Sequence, residues 1–335
     1  MMIVSLFIEL CIFSIVLGTF LKHESNFIYE VDENYNTKKT NYYATFKFNH
    51  FDQGAFRYCY IGNVKNIDNQ NSNQNFFPTG KCVVKVFKDR TYGELDIKND
   101  LGNIFYSQKI SKIFNSQNLS NKKLIFVDNY LASFKENAFI DFGKRTFNED
   151  EWMIIEPYIE GKYEKFVSNN GWTKENIEKT IPLFMHWNWV YSKGEKLVSD
   201  IQGVKKDYIY ELTDPAVQSI YREYGGTDLG IEGLIYFLSE HKHNELCQSL
   251  PWPNDEEIKK IKEAKRCLIK KRGTSYTFEL KNCRDEEIKN LYKKVINSTF
   301  NNNFLSIIII VVIIFAIVMI FFLMVGKKNI REKLD

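Results

Sequence analysis

The sequence predicts an α+β domain built as two lobes, and three patterns predict it. Short β-branched and aromatic runs crowd residues 40–90. Helical spacing then alternates with further strands up to residue 253. Beyond Pro251 and Pro253 the chain turns to charged helices. A β-rich first half followed by a mixed half is the pattern of two packed layers with segregated elements.

Taken in order, Tyr43–Phe48 alternates, Phe56–Ile61 is aromatic-rich, and Cys82–Phe87 is a short apolar run, so each reads as a strand. Leu101, Ile104, Phe105, Ile110 and Phe114 recur at helical spacing and predict a helix over 98–114. Leu124–Val127 and Met153–Ile155 read as strands, Asn176–Tyr191 as a helix and Leu197–Ile201 as a strand. Gly230–His241 is helical, and Asp255–Lys271 and Glu286–Ile296 follow as charged helices.

The 335 residues allow one large domain or two small ones, with enough length for a sizeable core. A net charge of +3 and the lack of a long Lys/Arg block argue against a nucleic-acid partner. Asn69–Asn75 and Asn301–Asn303 read as polar linkers or loop insertions. The six cysteines are scattered with no CxxC pair, which argues against a disulfide framework, although a Cys267–Cys283 bond stays open if that region is lumenal.

Both ends are apolar. Phe304–Val325 is 22 residues without a charge, closed by Lys327, Lys328 and Arg331. At about 1.5 Å per residue it would span a hydrocarbon core of about 30 Å, so it reads as a transmembrane helix. Residues 1–21 lack the basic start of a typical signal sequence and fit a cleaved signal peptide, a second anchor or a buried helix. The layout expected is that segment, a linker over 22–42, a domain over 43–253, a charged helical juxtamembrane region over 254–303, the membrane helix over 304–325 and a basic tail over 326–335. The chain is thus expected in a membrane, crossing the lipid bilayer once or twice.

Four groups of residues carry chemistry. Asp52-Gln53-Gly54-Ala55-Phe56-Arg57 sets a glycine turn before a strand that carries a cation. Lys85 is a lone cation in the apolar strand Val83–Phe87: either a snorkelling edge residue or a rigidly held phosphate-binding group. Asp200 ends an apolar strand, Gln202 points the same way two residues on, and Asp214 stands before Pro215. Singly, these acids would cap a strand or start a turn. Together they form a hard-oxygen set suited to Mg²⁺. Last, His186 joins the H-x-H-x-x-x-C run His241–Cys247, a donor set suited to tetrahedral structural Zn²⁺.

These residues resemble the alpha-kinase family, atypical protein kinases that include myosin heavy chain kinases and channel-linked kinases. The resemblance covers residues 44–253. It rests, in order, on Gly54–Arg57, Val84–Phe87, Glu156–Gly161, His186-Trp187, Asp200–Val204, Leu212–Pro215, Gly225–Gly230 and His241–Cys247. It implies a two-lobed, protein-kinase-like domain that moves the γ-phosphate of ATP to Ser or Thr of a protein substrate. By the same resemblance Lys85 and Arg57 hold the ATP phosphates and Gly54 lies in the nucleotide-binding turn. Glu156 lies in a hinge-like segment against adenine. Asp200 faces the acceptor hydroxyl, Gln202 and Asp214 hold Mg²⁺, and His186, His241, His243 and Cys247 hold structural Zn²⁺. The glycine loop with Gly226, Thr227 and Gly230 lies near the peptide substrate. Asp100 loosely matches an acidic family position.

The chain departs from the family pattern in three places. His243 stands where a cysteine is usual, and Asp228 where an asparagine is usual, which would add negative charge near the substrate channel. Lys205–Glu211 is longer than in many members. The alternative from another class is a pseudokinase acting as a binding module; the presence of Lys85, Asp200, Gln202 and Asp214 argues against it. A zinc hydrolase is disfavoured because four protein ligands leave no open position for water. The need for ATP and the oxidisable Cys247 place the kinase domain on the cytosolic side.

Overall fold

The computed structural model describes residues 22–47, 49–67, 80–89, 93–136, 138–140, 145–149, 151–273 and 285–300. Its N-terminal lobe is a seven-stranded antiparallel sheet in the order β2-β1-β7-β10-β5-β4-β3. The strands are β1 (Lys22–Val31), β2 (Thr37–Lys47), β3 (Asp52–Gln53), β4 (Arg57–Asn66), β5 (Lys81–Phe87), β7 (Tyr130–Ser133) and β10 (Trp152–Pro157). Because β2 pairs with β4 as well as with β1, the sheet closes on itself and leaves only the two-residue β3 at an edge. Phe46, Tyr60, Phe134, Phe147 and Met153 fill the interior.

The C-terminal lobe carries a four-stranded sheet, β11 (Tyr163–Lys165), β13 (Gln202–Lys205), β14 (Ile209–Thr213) and β6 (Lys123–Phe126), in that order. Two ribbons stand apart: β12 (Lys196–Ser199) with β15 (Ala216–Ser219), and β8 (Ala138–Ile140) with β9 (Arg145–Phe147). The helices are α1 (Glu94–Ser116), α2 (Thr180–Tyr191), α3 (Ile231–Glu240), α4 (Asp255–Gly273) and α5 (residues 285–300). Leu124, Phe184, Trp189, Leu197, Tyr210 and Leu234 form the core between them.

The predicted helices and most predicted strands appear within a few residues of their expected bounds, and the two-lobed α+β class is observed. Residues 22–42 are not a linker. They form β1 and most of β2, because Ile28 and Ala44 are inward residues of the closed sheet.

The membrane reading is corrected here. Among the described residues no helix is long and apolar enough to cross a membrane. The runs 1–21 and 304–325 on which that reading rested, with the tail 326–335, lie outside the described residues. The helices of 254–303 are also not a free juxtamembrane stalk. On α4, Ile261, Ala264 and Leu268 recur at helical spacing and are buried; on α5, Ile288, Tyr292 and Val295 do the same, and all six join the lobe core. Cys267 on α4 is disulfide-bonded, whereas Cys59, Cys82 and Cys247 are free thiols.

Tyr292 fastens α5 to the lobe. Its fully buried hydroxyl donates to the Gly194 carbonyl at 2.7 Å and accepts from the Trp189 indole at 2.9 Å. Tyr292→Phe should cost about 1–3 kcal/mol, because an indole N–H and a carbonyl lose a buried partner, and Tyr292→Ala about 3–5 kcal/mol. Urea unfolding of the two variants checks this; unchanged midpoints would mean that α5 is only a loose appendage.

Candidate active site and metal-donor cluster

Two sheets meet where β5 and β10 of the first lobe face the β14–β15 turn of the second. Pairing of β10 with β5 sets Ile154 opposite Lys85, and pairing of β4 with β5 sets Cys59 opposite Lys85 from the other side. Lys85 therefore belongs to an interior strand of the closed sheet, and the snorkelling alternative is excluded. Its side chain is 3 % exposed. A buried charge of this kind has to be paired. Nζ lies 2.7 Å from Glu156 Oε1 and 2.8 Å from Asp214 Oδ2, and it donates to Thr213 Oγ1 at 3.1 Å. The Thr213 hydroxyl in turn donates to Glu156 Oε2 at 2.5 Å.

Arg57 adds a second cation to the same face, 3.4 Å from Asp214 and 3.3 Å from Asp100 on α1. Burial works to lower the affinity of both cations for their protons, but the surrounding carboxylates outweigh it, and both are held firmly protonated. Burial also works to raise Asp214. Lys85 and Arg57 oppose it and bring the carboxyl down to about 2. Glu156, buried deeper, is raised despite Lys85. Asp100 is likewise raised by burial.

The second acid lies one turn away. Ser199 pairs with Ala216 on the β12–β15 ribbon, and Gln202 pairs with Thr213 on the β13–β14 hairpin. The chain crosses between these pairings twice, at 200–201 and 214–215, so both aspartates fall at the same crossover. Both take left-handed backbone, φ 53° for Asp200 and 48° for Asp214, a region that Asp tolerates better than most residues. Gly203 follows at φ 147°, where a Cβ would stand 2.0 Å from the Glu211 carbonyl; only glycine fits. Gln202 donates its amide N–H to the Asp214 carbonyl at 3.2 Å. Asp200 is raised by burial, while Lys165 Nζ at 2.7 Å pulls the other way.

Glu156, expected on the hinge-like segment, keeps its backbone there, paired with Val83, and turns its side chain onto Lys85. Gly54 sits in the open turn before Arg57, where its N–H bonds the Arg57 carbonyl at 2.9 Å. Gly226 and Thr227 lie in the loop before α3, and Gly230, at φ 70°, starts that helix. This loop is tied to the β12–β15 ribbon through Gln218, which donates to the Thr227 carbonyl and to Ser199 Oγ, next to Asp200. Asp228 does not charge a channel. It is buried and accepts from the Ser219 N–H and hydroxyl and the Gly230 N–H at 2.6–2.9 Å, a staple that fixes the loop.

Lys165 and Thr213 also belong to this cleft, although neither is among the residues the sequence marks for chemistry. Nothing in the spacing singles out Lys165. A hydroxyl beside an acid at a strand end was the available signal for Thr213.

Away from the cleft, the donor atoms of His186, His241, His243 and Cys247 lie within 4.8 Å of one another. His186 Nε2 is 2.9 Å from the Pro251 carbonyl, which fixes it as the N–H donor, and its buried Nδ1 has no hydrogen-bond partner. Cys247 Sγ lies 3.6 Å from His241 Nε2 and 3.9 Å from His243 Nδ1. Trp252 packs against all three imidazoles at 4.7–5.0 Å between centroids. Burial pushes His186 down to about 4 and His241 to about 3, so both are neutral and able to ligate. An imidazole bonded to a carbonyl through one nitrogen and bare at the other is the arrangement metal ligands adopt.

The fold and this cleft define a protein kinase-like domain, and the comparisons with known proteins are specific. The alpha-kinase family model matches residues 52–247, more than half of the chain, and the chain belongs to that family. It is 42 % identical over 98 residues to alpha-protein kinase vwkA of Dictyostelium discoideum, and 32 % identical over 174 residues to alpha-protein kinase 1 of the same organism. Those stretches cover 29 % and 52 % of this chain, but only 16 % and 12 % of the relatives' lengths. A solved alpha kinase from Entamoeba histolytica superposes with a TM-score of 0.56 at 24 % identity, covering 70 % of this chain and 93 % of that one. The alpha-kinase domain of myosin heavy chain kinase A, solved as a complex with ADP, gives 0.54 at 21 %, covering 68 % and 95 %.

The cleft's electrostatics has a measurable consequence. The folded value of Asp214 lies below its ordinary 3.8, so its stabilisation is present above that pH and lost as pH falls toward 2. The stability advantage of wild type over Asp214→Asn should therefore shrink by on the order of 2 kcal/mol between about pH 5 and about pH 2. Urea melts of both proteins across that range read it; a constant gap would show that Lys85 and Arg57 do not hold the carboxylate.

Proposed function

We propose that this chain is an ATP-dependent protein kinase of the alpha type that phosphorylates Ser or Thr of a protein substrate. The observation that carries the reading is the saturated Lys85: a cation buried on a rigid strand and aimed across the cleft at Asp214. Phosphoryl transfer asks mainly for positioning and for neutralisation of charge on the moving group. Lys85 and Arg57 meet the negative phosphates. The backbone of the segment beginning at Glu156 borders the nucleotide base. Asp200 orients the acceptor hydroxyl and takes its proton late in the transfer, a task helped by the burial that raises its proton affinity.

Gln202 and Asp214 would hold Mg²⁺. The Gln202 amide N–H is engaged with the Asp214 carbonyl, which leaves its Oε1 as a ligand, and the Asp214 carboxylate stays ionised down to about pH 2. Mg²⁺ supplies charge neutralisation between the phosphate oxygens when bound. The loop from Gly225 to Gly230, set by the Asp228 staple, would border the acceptor peptide.

The test gives the full chain labelled ATP and a basic, Thr-rich peptide. Wild type should transfer phosphate, and Asp214→Ala should lower transfer about a hundredfold or more. Equal, background-level transfer by both proteins would favour a binding module over a kinase.

The cluster of His186, His241, His243 and Cys247 would hold a structural Zn²⁺. Three imidazoles and a thiolate satisfy a tetrahedral, closed site, and the bare His186 Nδ1 is the buried atom that a metal would satisfy. The purified protein should contain one zinc per chain by elemental analysis. A strong chelator should lower its melting temperature, and Cys247→Ser should reduce both zinc content and that shift. Protein that is free of zinc and indifferent to chelator would reject the assignment.

A further inference from the structure

The Thr213 hydroxyl makes two hydrogen bonds at once. Its Oγ1 accepts from Lys85 Nζ at 3.1 Å and donates to Glu156 Oε2 at 2.5 Å. With the Lys85–Glu156 pair at 2.7 Å, this closes a three-membered ring of contacts. All three members are buried. An ammonium has three N–H donors, and here three acceptors surround it: Glu156, Asp214 and Thr213. Two come from different lobes, since Glu156 stands on β10 of the closed sheet while Thr213 ends β14.

The three acceptors are not equivalent. Asp214 is partly open to the cleft and shares its carboxylate with Arg57, whereas Glu156 and Thr213 face no solvent. We propose that Thr213 is the positioning residue of the nucleotide site: its hydroxyl keeps Lys85 aimed, and the two lobes in register, when Asp214 turns to another partner. This inference rests on the kinase reading above and adds to it the group that holds the phosphate-binding lysine from the opposite lobe. A residue in this place must accept from a cation and donate to a carboxylate at once. A hydroxyl does both. Valine, of nearly the same shape, does neither and would leave Glu156 Oε2 and one Lys85 N–H unmatched.

The test compares the full-length wild type with Thr213→Val and Thr213→Ser. ATP affinity is measured by calorimetry, KM for ATP and kcat by peptide phosphorylation, and folding by circular dichroism. Thr213→Val should weaken ATP binding and raise KM by about tenfold to a hundredfold, the weight of one hydrogen bond to a charged group. Thr213→Ser, which keeps the hydroxyl, should stay within about threefold of wild type, well inside the energy of one such bond. If Thr213→Val does not fold, Thr213→Ala is read against Thr213→Ser in its place. As a second reading, adding Glu156→Gln to Thr213→Val should lose less than the two single losses combined, because both act through Lys85.

A valine variant with wild-type ATP affinity and KM would overturn the inference. So would equal impairment of the valine and serine variants, which would point to packing of the Thr213 methyl group. A wild type that binds no ATP would instead reject the kinase reading itself, so the two failures can be told apart.

Discussion

The ion pair between Lys85 and the carboxylates of Glu156 and Asp214 is the contact on which the arrangement of the cleft depends. A lysine on an interior strand would be expelled or deprotonated without compensation, since the cost of burying a bare ammonium far exceeds any single packing gain. Here the compensation is drawn from both lobes. The same contact that makes the buried cation tolerable therefore also fixes how the closed sheet faces the second lobe. Removing either acid leaves a charge without its counterpart, so cleft geometry and stability are bound to one another.

The rest of the fold can be read as what this contact requires. The closed antiparallel sheet gives Lys85 paired neighbours on both sides and pairs Glu156 with Val83 of the same strand, which fixes the direction of each side chain. The crossover between β12–β15 and β13–β14 brings Asp200 and Asp214 to one level, at the cost of two left-handed residues and one obligatory glycine. The histidine and cysteine cluster lies away from the cleft and sets His186 of α2 beside donors from the segment after α3. The terminal helices α4 and α5 extend the same core, with Tyr292 bonded to Trp189 and Gly194.

Much of this was legible in the sequence. Helical spacing located the helices because buried stripes repeat every three to four residues whatever lies opposite them. The short strands β7, β11, β13 and β14 escaped, because three to five residues carry too little periodicity, and β1 escaped because its alternation is broken by irregular pairing with β2. In the site, Lys85, Asp200, Gln202 and Asp214 were readable as an ordered set, and so was the donor cluster. The direction of the Glu156 side chain, the pairing of Asp200 with Lys165 and the burial of Asp228 were not. Each depends on a partner that sequence distance does not reveal, and Glu156 and Thr213 are 57 positions apart.

The sequence by itself therefore determined membership in the alpha-kinase family, the helical segments and the kinds of chemical group available to the cleft, because composition, spacing and local order carry that information. Only the tertiary structure decided which of those groups touch. It turned an expected linker into the first two strands of a closed sheet, and packed the helices of the expected juxtamembrane region onto the core. It also made a four-way contact out of a lysine, two acids and a threonine drawn from three strands and a turn. Electrostatic pairing and burial act through space, and only the folded chain sets those distances.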